Sequence, residues 1–424
     1  MLYMLPIALV PLISLTGGSL MRQRSFLPAI FILACSSLLS ELQAQTYHEL
    51  FLPSSYDGVV TRSVVMEPAS YQGQAVPLVI TLHGMGGNAW DGLRGYDGPA
   101  NARGWLVASP DTHGEMDPTG MNSLAARAAQ RDVLDLLEYV QTHWMVDSDR
   151  VYLTGGSMGG MATTIIAAKF PDRFAAAAEW FGPSDLAAAY QELWFGNFRP
   201  NMEAEIGGGP AQFPWEYERR SSLFYARNLR SLPFVIGQGR FDFIVLPHHS
   251  SDLAAEIERF QPQHFAGIYW NNGAHFLFPG EHAMTLDWLG QFQRQPEPQV
   301  LAVQTDEDQA YYWLELEGAA DPAWRIVNLA ARSFENDLRM QLNNVRDLDL
   351  AMSRSGLDVQ QDLELVVFLD ADLNLELTEL DPSRTYTVER NGLPWPDSQW
   401  DPISATLRIG IRHDQGGPEP FLIR

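Results

Sequence analysis

Five short apolar stretches alternate with stretches of helical periodicity, and that alternation constrains this chain more than any other feature of it. Residues 76–83 (VPLVITLH) are continuous, apolar and β-branched, then stopped by Gly84, as in a strand buried on both faces. Residues 150–154, 174–180, 232–238 and 266–270 repeat the pattern, and helix-period segments fall at 124–143, 158–170, 247–260 and 282–293. Strand, helix, strand repeated this way predicts βαβ units and a doubly wound, mostly parallel α/β sheet.

The segment QPEP at 295–298 is a linker signal, and beyond it helical periods give way to short alternating runs. Candidate strands at 300–304, 310–317, 324–330, 338–342, 348–353, 363–369, 385–390 and 405–411, with a turn at Asn391-Gly392, predict an all-β sandwich-like domain. The division expected is a targeting region at 1–44, an α/β catalytic domain at 45–294, the linker, and an accessory sandwich at 299–424. Asp370 to Asn374 imitates the start of a calcium loop, but Leu375 stands where that loop needs glycine, so an acidic turn is the better reading.

Charge excludes some partners. With 52 acidic against 28 basic residues, the net charge of −24 repels nucleic-acid backbones and anionic lipid alike, and no nucleic-acid partner is expected. Lys169 is the only lysine. Cys35 is the only cysteine, which rules out an intrachain disulfide and a cysteine-built metal cluster. From Arg22 and Arg24 the chain runs through an apolar stretch at 26–39 to Ala44, the order of a secretory signal, so a secreted or periplasmic protein is expected. The apolar stretch falls short of the ~18 residues that span a bilayer, so no stable membrane span is expected. The phrase ILAC ending at Cys35 resembles a lipoprotein processing box, which makes lipid anchoring through Cys35 the alternative.

The chemistry-bearing motif is Gly155-Gly156-Ser157-Met158-Gly159-Gly160, placed between a predicted strand and a predicted helix. A G-x-S-x-G turn in that context strains the serine backbone and lifts its hydroxyl above the sheet at the positive end of the helix. Glycines flank it because larger side chains would collide. A serine hydroxyl needs an oriented base, and candidates follow at the ends of later strands in the order acid, then histidine. Asp242 lies after LPFVIGQG and His275 after AGIYW, so Asp242 should orient His275 and His275 should deprotonate Ser157. His282 and Asp252 are the rival base and acid. His248, His249, His264 and His413 read as hydrogen-bonded loop residues.

For the oxyanion, the glycine-rich loop from His83 to Gly87 offers the N–H of Met85, with Gly86 next, to pair with the N–H of Met158. His83 is expected to hold that loop. Trp180, at the end of the strand after the nucleophile helix, and Gly86 are expected to contact substrate. About fifty residues after Trp180 form an aromatic-rich insert, read as a lid or as packed helices whose rings mostly bury it on the body. This chemistry calls for no cofactor and no metal.

At these residues the chain resembles the α/β-hydrolases of the secreted esterase and prolyl oligopeptidase-like serine hydrolase group, including feruloyl esterase and polyhydroxybutyrate depolymerase relatives. The phrases that carry the likeness are PLVITLHGMGGN, RDVLDLLEYV, VDSDRVYLTGGSMGG, KFPDRFAAAAEW, ARNLRSLPFVIGQGRFDFIV and GAHF, over about residues 75–290. The resemblance implies the α/β-hydrolase fold and a Ser157, Asp242, His275 triad. It departs from the group at Asp242 to Pro247, one residue longer than the usual Asp-x-x-Val-Pro. The segment after 298 more loosely resembles an accessory sandwich of extracellular predicted peptidases, a candidate surface- or polysaccharide-binding module with Trp395 and Trp400 as possible sugar contacts. The expected activity is hydrolysis of small-molecule or polymeric carboxylic esters, with a peptidase and an inert binding protein as alternatives.

Overall fold

The computed structural model describes residues 44–113, 122–294 and 297–424. The signal and lipid-box expectations, Cys35 included, lie outside the described residues, as does the first half of the linker. Among the described residues no helix is long and apolar enough to cross a membrane.

Eight strands form the first sheet: β1 (Thr46–Pro53), β2 (Val60–Glu67), β3 (Val76–Leu82), β4 (Leu106–Pro110), β5 (Val146–Gly156), β6 (Ala176–Trp180), β7 (Phe234–Gly239) and β8 (Phe265–Asn271). Their spatial order is β1-β2-β4-β3-β5-β6-β7-β8. β2 runs antiparallel to β1 and β4, while every pair from β4 to β8 is parallel. This is the α/β-hydrolase arrangement that the sequence implied. The strands β3, β4 and β6 are buried at every position, which is why they read as unbroken apolar runs. The β1–β2 hairpin was not anticipated. β1 is exposed or half-buried throughout, so it lacks the apolar signal of an interior strand.

The helix Met158–Lys169 is buried along its whole length. It lies against β5 and β6 on one side and the 3₁₀ segment Ser222–Arg230 on the other, and a helix covered all round needs no polar face.

After residue 297 the chain builds a second architecture. A six-stranded and a seven-stranded sheet enclose their own core of Leu, Val, Ile and aromatic side chains, so the β-sandwich is present. Its strand Arg325–Arg332 buries every second residue, the signature of one inward face. The parallel pairs of Asp337–Asn343 with Leu363–Leu369 and of Val345–Ala351 with Leu373–Thr378 interrupt an otherwise antiparallel pattern. Trp395 and Trp400 both pack on the sandwich core, and Trp395 Nε1 donates to the Gly410 carbonyl at 3.0 Å.

Residues 44–424 nevertheless cluster as one compact unit. Lys169, wholly buried at the end of its helix, donates to Asp306 Oδ1 at 2.7 Å and to Glu307. Asp306 also accepts from Arg127 Nε at 2.9 Å and from the Tyr225 hydroxyl at 3.1 Å. Burial alone would push the Asp306 carboxyl up, but Lys169 and Arg127 outweigh it and hold it well below the usual carboxylate range. Beside this cluster, Asn228 donates to the Gln304 carbonyl at 2.9 Å and accepts from its N–H at 2.8 Å. Trp324 of the sandwich sits among Trp215, Phe224 and Tyr225, with ring centroids 5.1, 5.8 and 5.2 Å away. Those aromatics of the insert therefore dock the sandwich as well as burying the insert on the body.

Asp306→Asn should lower unfolding stability at neutral pH by about 3–5 kcal/mol, because it leaves the Lys169 ammonium buried without its full countercharge. The sign of the pH effect follows from the depressed carboxyl. Its contribution is complete above the unfolded aspartate range, near pH 4, and is lost as pH falls below it. Urea midpoints measured between pH 7 and pH 3 should show a steeper acid loss in the native chain than in the variant.

Candidate active site

The turn from β5 into the helix Met158–Lys169 places Ser157 at φ 60°, ψ −124°, a left-handed φ that a non-glycine residue adopts only under local constraint. The constraint is visible in the glycines around it. A Cβ on Gly155 would stand 2.6 Å from the Gly159 carbonyl oxygen, and one on Gly159 would stand 2.3 Å from that of Leu82. The Ser157 N–H donates to the Trp180 carbonyl at 2.9 Å, while its carbonyl accepts from Met161 at 3.1 Å. The backbone is pinned on both sides and the hydroxyl is left free to face outward.

His275 meets that hydroxyl. Its Nε2 is 2.9 Å from Ser157 Oγ, and its Nδ1 is 2.7 Å from Asp242 Oδ2. Asp242 is buried, and its other oxygen accepts from the N–H groups of Ile244 at 2.9 Å and Val245 at 3.1 Å. A carboxylate fixed by two backbone donors presents its remaining oxygen to Nδ1, which favours the Nδ1–H tautomer and leaves the Nε2 lone pair toward the serine. The longer Asp242 loop is thus turned into a bonded cradle. Residues 118 positions apart in sequence are hydrogen-bonded in space.

The loop after β3 lies alongside. Gly84 to Gly87 closes a turn through Gly87 N–H to Gly84 O at 3.0 Å, with Gly86 at φ 75°, the requirement of a type II turn. A Cβ on Gly84 would be 3.5 Å from Ser157 Cβ, so the loop carrying Met85 borders the serine directly. The N–H groups of Met85 and Gly86 take no part in the turn bond. Met158 opens the nucleophile helix, where N–H groups of the first turn lack intrahelical acceptors. The His83 imidazole is buried, with Nδ1 2.8 Å from Gly84 O and Nε2 3.0 Å from Thr112 Oγ1. Burial pushes its pKa down, so the neutral ring braces the loop.

Trp180 departs from expectation. Its side chain is buried on the opposite face, where Nε1 donates to Thr285 Oγ1 at 3.1 Å and the ring covers Gly237. Residues alternate faces along β6, so Trp180 points away from the nucleophile helix that Glu179 faces. The next residue, Phe181 at φ 41°, sets its ring 4.7 Å from that of His275. The rivals are engaged elsewhere. His282 packs edge-on against Tyr96 at 4.7 Å, and Asp252 accepts from His248 Nδ1 at 3.0 Å. His248 and His249 open a helix rather than lying in a loop.

Supporting residues went unread in the sequence. Gln238 donates to Asp242 Oδ2 at 3.4 Å. Glu281 accepts from Asn271 Nδ2 at 3.0 Å and from Phe278 N–H, and Asn271 Oδ1 accepts from Gly273 N–H at 2.8 Å, so the loop bearing His275 is tied at both ends. A glutamate six residues beyond a catalytic-looking histidine is a usable signal only once the loop geometry is known.

The model of the prolyl oligopeptidase family matches residues 103–292. An uncharacterized peptidase of Bacillus subtilis is 24% identical over 193 residues, covering 46% of this chain and 73% of that one. An acetylxylan esterase of Coprinopsis cinerea is 32% identical over 114 residues, 25% of this chain and 30% of the esterase. Among solved structures, a puromycin-hydrolyzing peptidase of Mycobacterium tuberculosis superposes with a TM-score of 0.49 at 22% identity, covering 60% of this chain and 40% of that one. The chain thus spans less than half the length of that esterase and that solved structure.

Glu179 lies beneath the elbow, fully buried, and accepts from the Gly182 N–H at 2.8 Å. Burial raises its pKa to about 8, only partly countered by that bond. Because the folded value lies above the unfolded one, stability is greatest below about pH 4.3 and is lost as pH rises through the folded value. Glu179→Gln keeps the acceptor for Gly182 and removes the proton. Thermal midpoints between pH 5 and 9 should therefore decline less with pH in the variant than in the native chain.

Proposed function

Because the chain is an α/β-hydrolase of the esterase and prolyl oligopeptidase-like serine hydrolase group, we propose that it cleaves carboxylic esters through an acyl-enzyme formed on Ser157. The observation that carries this reading is the single imidazole bridging Ser157 Oγ at 2.9 Å and Asp242 at 2.7 Å. In the first step His275 Nε2 takes the hydroxyl proton as Ser157 Oγ bonds to the ester carbonyl carbon, and the carbonyl oxygen becomes an oxyanion. The N–H groups of Met158 and Met85 are the donors assigned to that charge, with Gly86 shaping the turn that presents the second. Collapse breaks the bond to the alcohol, which leaves with the proton from His275. Water then gives its proton to His275, attacks the acyl carbon, and releases the acid with Ser157 restored. Asp242 holds the ring in place throughout.

Support for an apolar or aromatic substrate group comes from the rim. Phe241 and Phe243 flank Asp242 and are 69% and 67% exposed, and Phe276 follows His275 at 49%. Phe181 adds a ring beside the imidazole. Such surfaces favour acyl or alcohol groups with flat or long apolar parts, polymeric esters included. The esterase relative supports cleavage of an ester, whereas the matched family and the Bacillus subtilis relative support a peptidase, the second reading. The two share every step above and differ in how readily the leaving amine is protonated.

Ser157→Ala should abolish both p-nitrophenyl ester turnover and labelling by a fluorophosphonate, and undiminished turnover in that variant would exclude this mechanism. Asp242→Asn should reduce kcat by about 10⁴-fold through loss of the correct tautomer. One acyl group offered as p-nitrophenyl ester and as p-nitroanilide separates the two readings: the proposal requires a kcat/KM for the ester that exceeds the anilide by far more than their intrinsic reactivity difference.

A further inference from the structure

Away from Ser157, two histidines and a glutamate from separate segments turn their ligating atoms to one point. Glu192 ends the helix Leu186–Glu192 of the insert, and His248 and His249 open the helix His248–Arg259. We propose that Glu192, His248 and His249 form a binding site for one divalent transition-metal ion of the zinc type.

The ligand atoms all lie within 4.8 Å of one another. His248 Nε2 is 2.7 Å from Glu192 Oε1 and His249 Nε2 is 3.1 Å from Oε2, so the same nitrogen of both rings faces the same carboxylate. The rings are nearly parallel, 29° apart with centroids 4.4 Å from each other. Zinc at about 2.0–2.1 Å from tetrahedral ligands sets those ligands about 3.3 Å apart, a separation inside the 4.8 Å spread of these atoms. Two imidazoles and one carboxylate suit zinc or cobalt far better than calcium or magnesium, which take oxygen ligands.

The outer nitrogen of His248 is held as that of a metal-binding imidazole usually is, by a carboxylate. Asp252 Oδ2 lies 3.0 Å from His248 Nδ1, which holds a proton on Nδ1. Nε2, which donates to Glu192 Oε1 at 2.7 Å in the ion-free site, is then the nitrogen whose lone pair an ion between ring and carboxylate would take. His249 Nδ1 is 3.3 Å from both the Oγ and the backbone N of Ser184. The ring therefore has two neutral forms. With the proton on Nε2 it donates to Glu192 and accepts from the Ser184 N–H. With the proton on Nδ1 it donates to Ser184 Oγ and turns a lone pair to the carboxylate, a form that a cation between them stabilises. A bound ion selects the second form. His249 is buried while His248 is 42% and Glu192 25% exposed at the side chain, so water has access to a fourth position. His248 follows the loop that starts at Asp242, so the ion would fasten the insert to the segment downstream of the acid, a structural role.

The test uses the full chain, stripped with EDTA, dialysed, and titrated with Zn²⁺ by calorimetry, with metal content measured after gel filtration. One equivalent should bind and raise Tm. Affinity should fall more than 100-fold in His248→Gln and in Glu192→Gln, and about 10-fold in Asp252→Asn, with far-UV circular dichroism unchanged. Co²⁺ should give the intense visible absorption of a tetrahedral site, and Ca²⁺ should leave Tm unmoved. Should Glu192→Gln misfold, His248→Gln at its exposed position decides the matter alone. Absence of stoichiometric Zn²⁺ in the native chain, or equal binding by folded His248→Gln, overturns the proposal and leaves an ordinary carboxylate–imidazole contact.

Discussion

A buried positive charge at the end of one helix is the interaction on which the rest of this structure depends. Lys169 terminates the helix that Ser157 begins, and its ammonium sits where the carbonyl ends of the helix favour a cation. Without partners, such a charge would be expelled toward water. Asp306 and Glu307, more than 130 residues later, supply them, and the Lys169 carbonyl accepts from Gln309 Nε2 at 2.8 Å. The helix is thereby anchored to the sandwich at one end and to the elbow at the other. Both ends depend on electrostatics of the same axis: its positive end presents first-turn N–H groups beside Ser157, and its negative end holds a cation.

At the elbow the logic is steric. A serine at φ 60° persists because Gly155, Gly159 and the Leu82 carbonyl leave no room for another path. The strain is local, and its consequence is that the hydroxyl points away from the sheet toward His275. That imidazole is in turn set by a carboxylate whose own freedom is removed by the Ile244 and Val245 N–H groups. Each group is oriented by one further from the Ser157 hydroxyl, so the arrangement is set by the protein's own hydrogen bonds.

What was legible in the sequence follows from how local each signal is. The elbow could be read because its glycines, the preceding strand and the following helix are contiguous. Asp242 and His275 could be read because each lies just past an apolar strand, where sheets of this kind gather their sites. Trp180 was misplaced by one step of strand alternation. The end of β6 was legible but not which face it turned to the nucleophile, and the ring beside His275 belongs to Phe181. The hairpin β1–β2 was invisible because an edge needs no continuous apolar run. The change of period near 298 was visible, whereas the contacts that make residues 44–424 one compact unit were not, since nothing near Lys169 names Asp306 as its partner.

That interface bears on what the sandwich is for. Domains joined by a flexible linker usually share modest, polar contacts and move relative to each other. Here a buried carboxylate with three donors, a paired asparagine and a tryptophan held by three aromatic rings join the sandwich to the insert and the nucleophile helix. Separating the two parts would break the buried Lys169–Asp306 pair and uncover Trp324. A freely swinging probe for surfaces fits this poorly. A brace fits it well, because the segments the sandwich grips are the helix that begins with Ser157 and the insert that begins after Phe181, the two elements whose displacement would shift the serine and the ring beside its base.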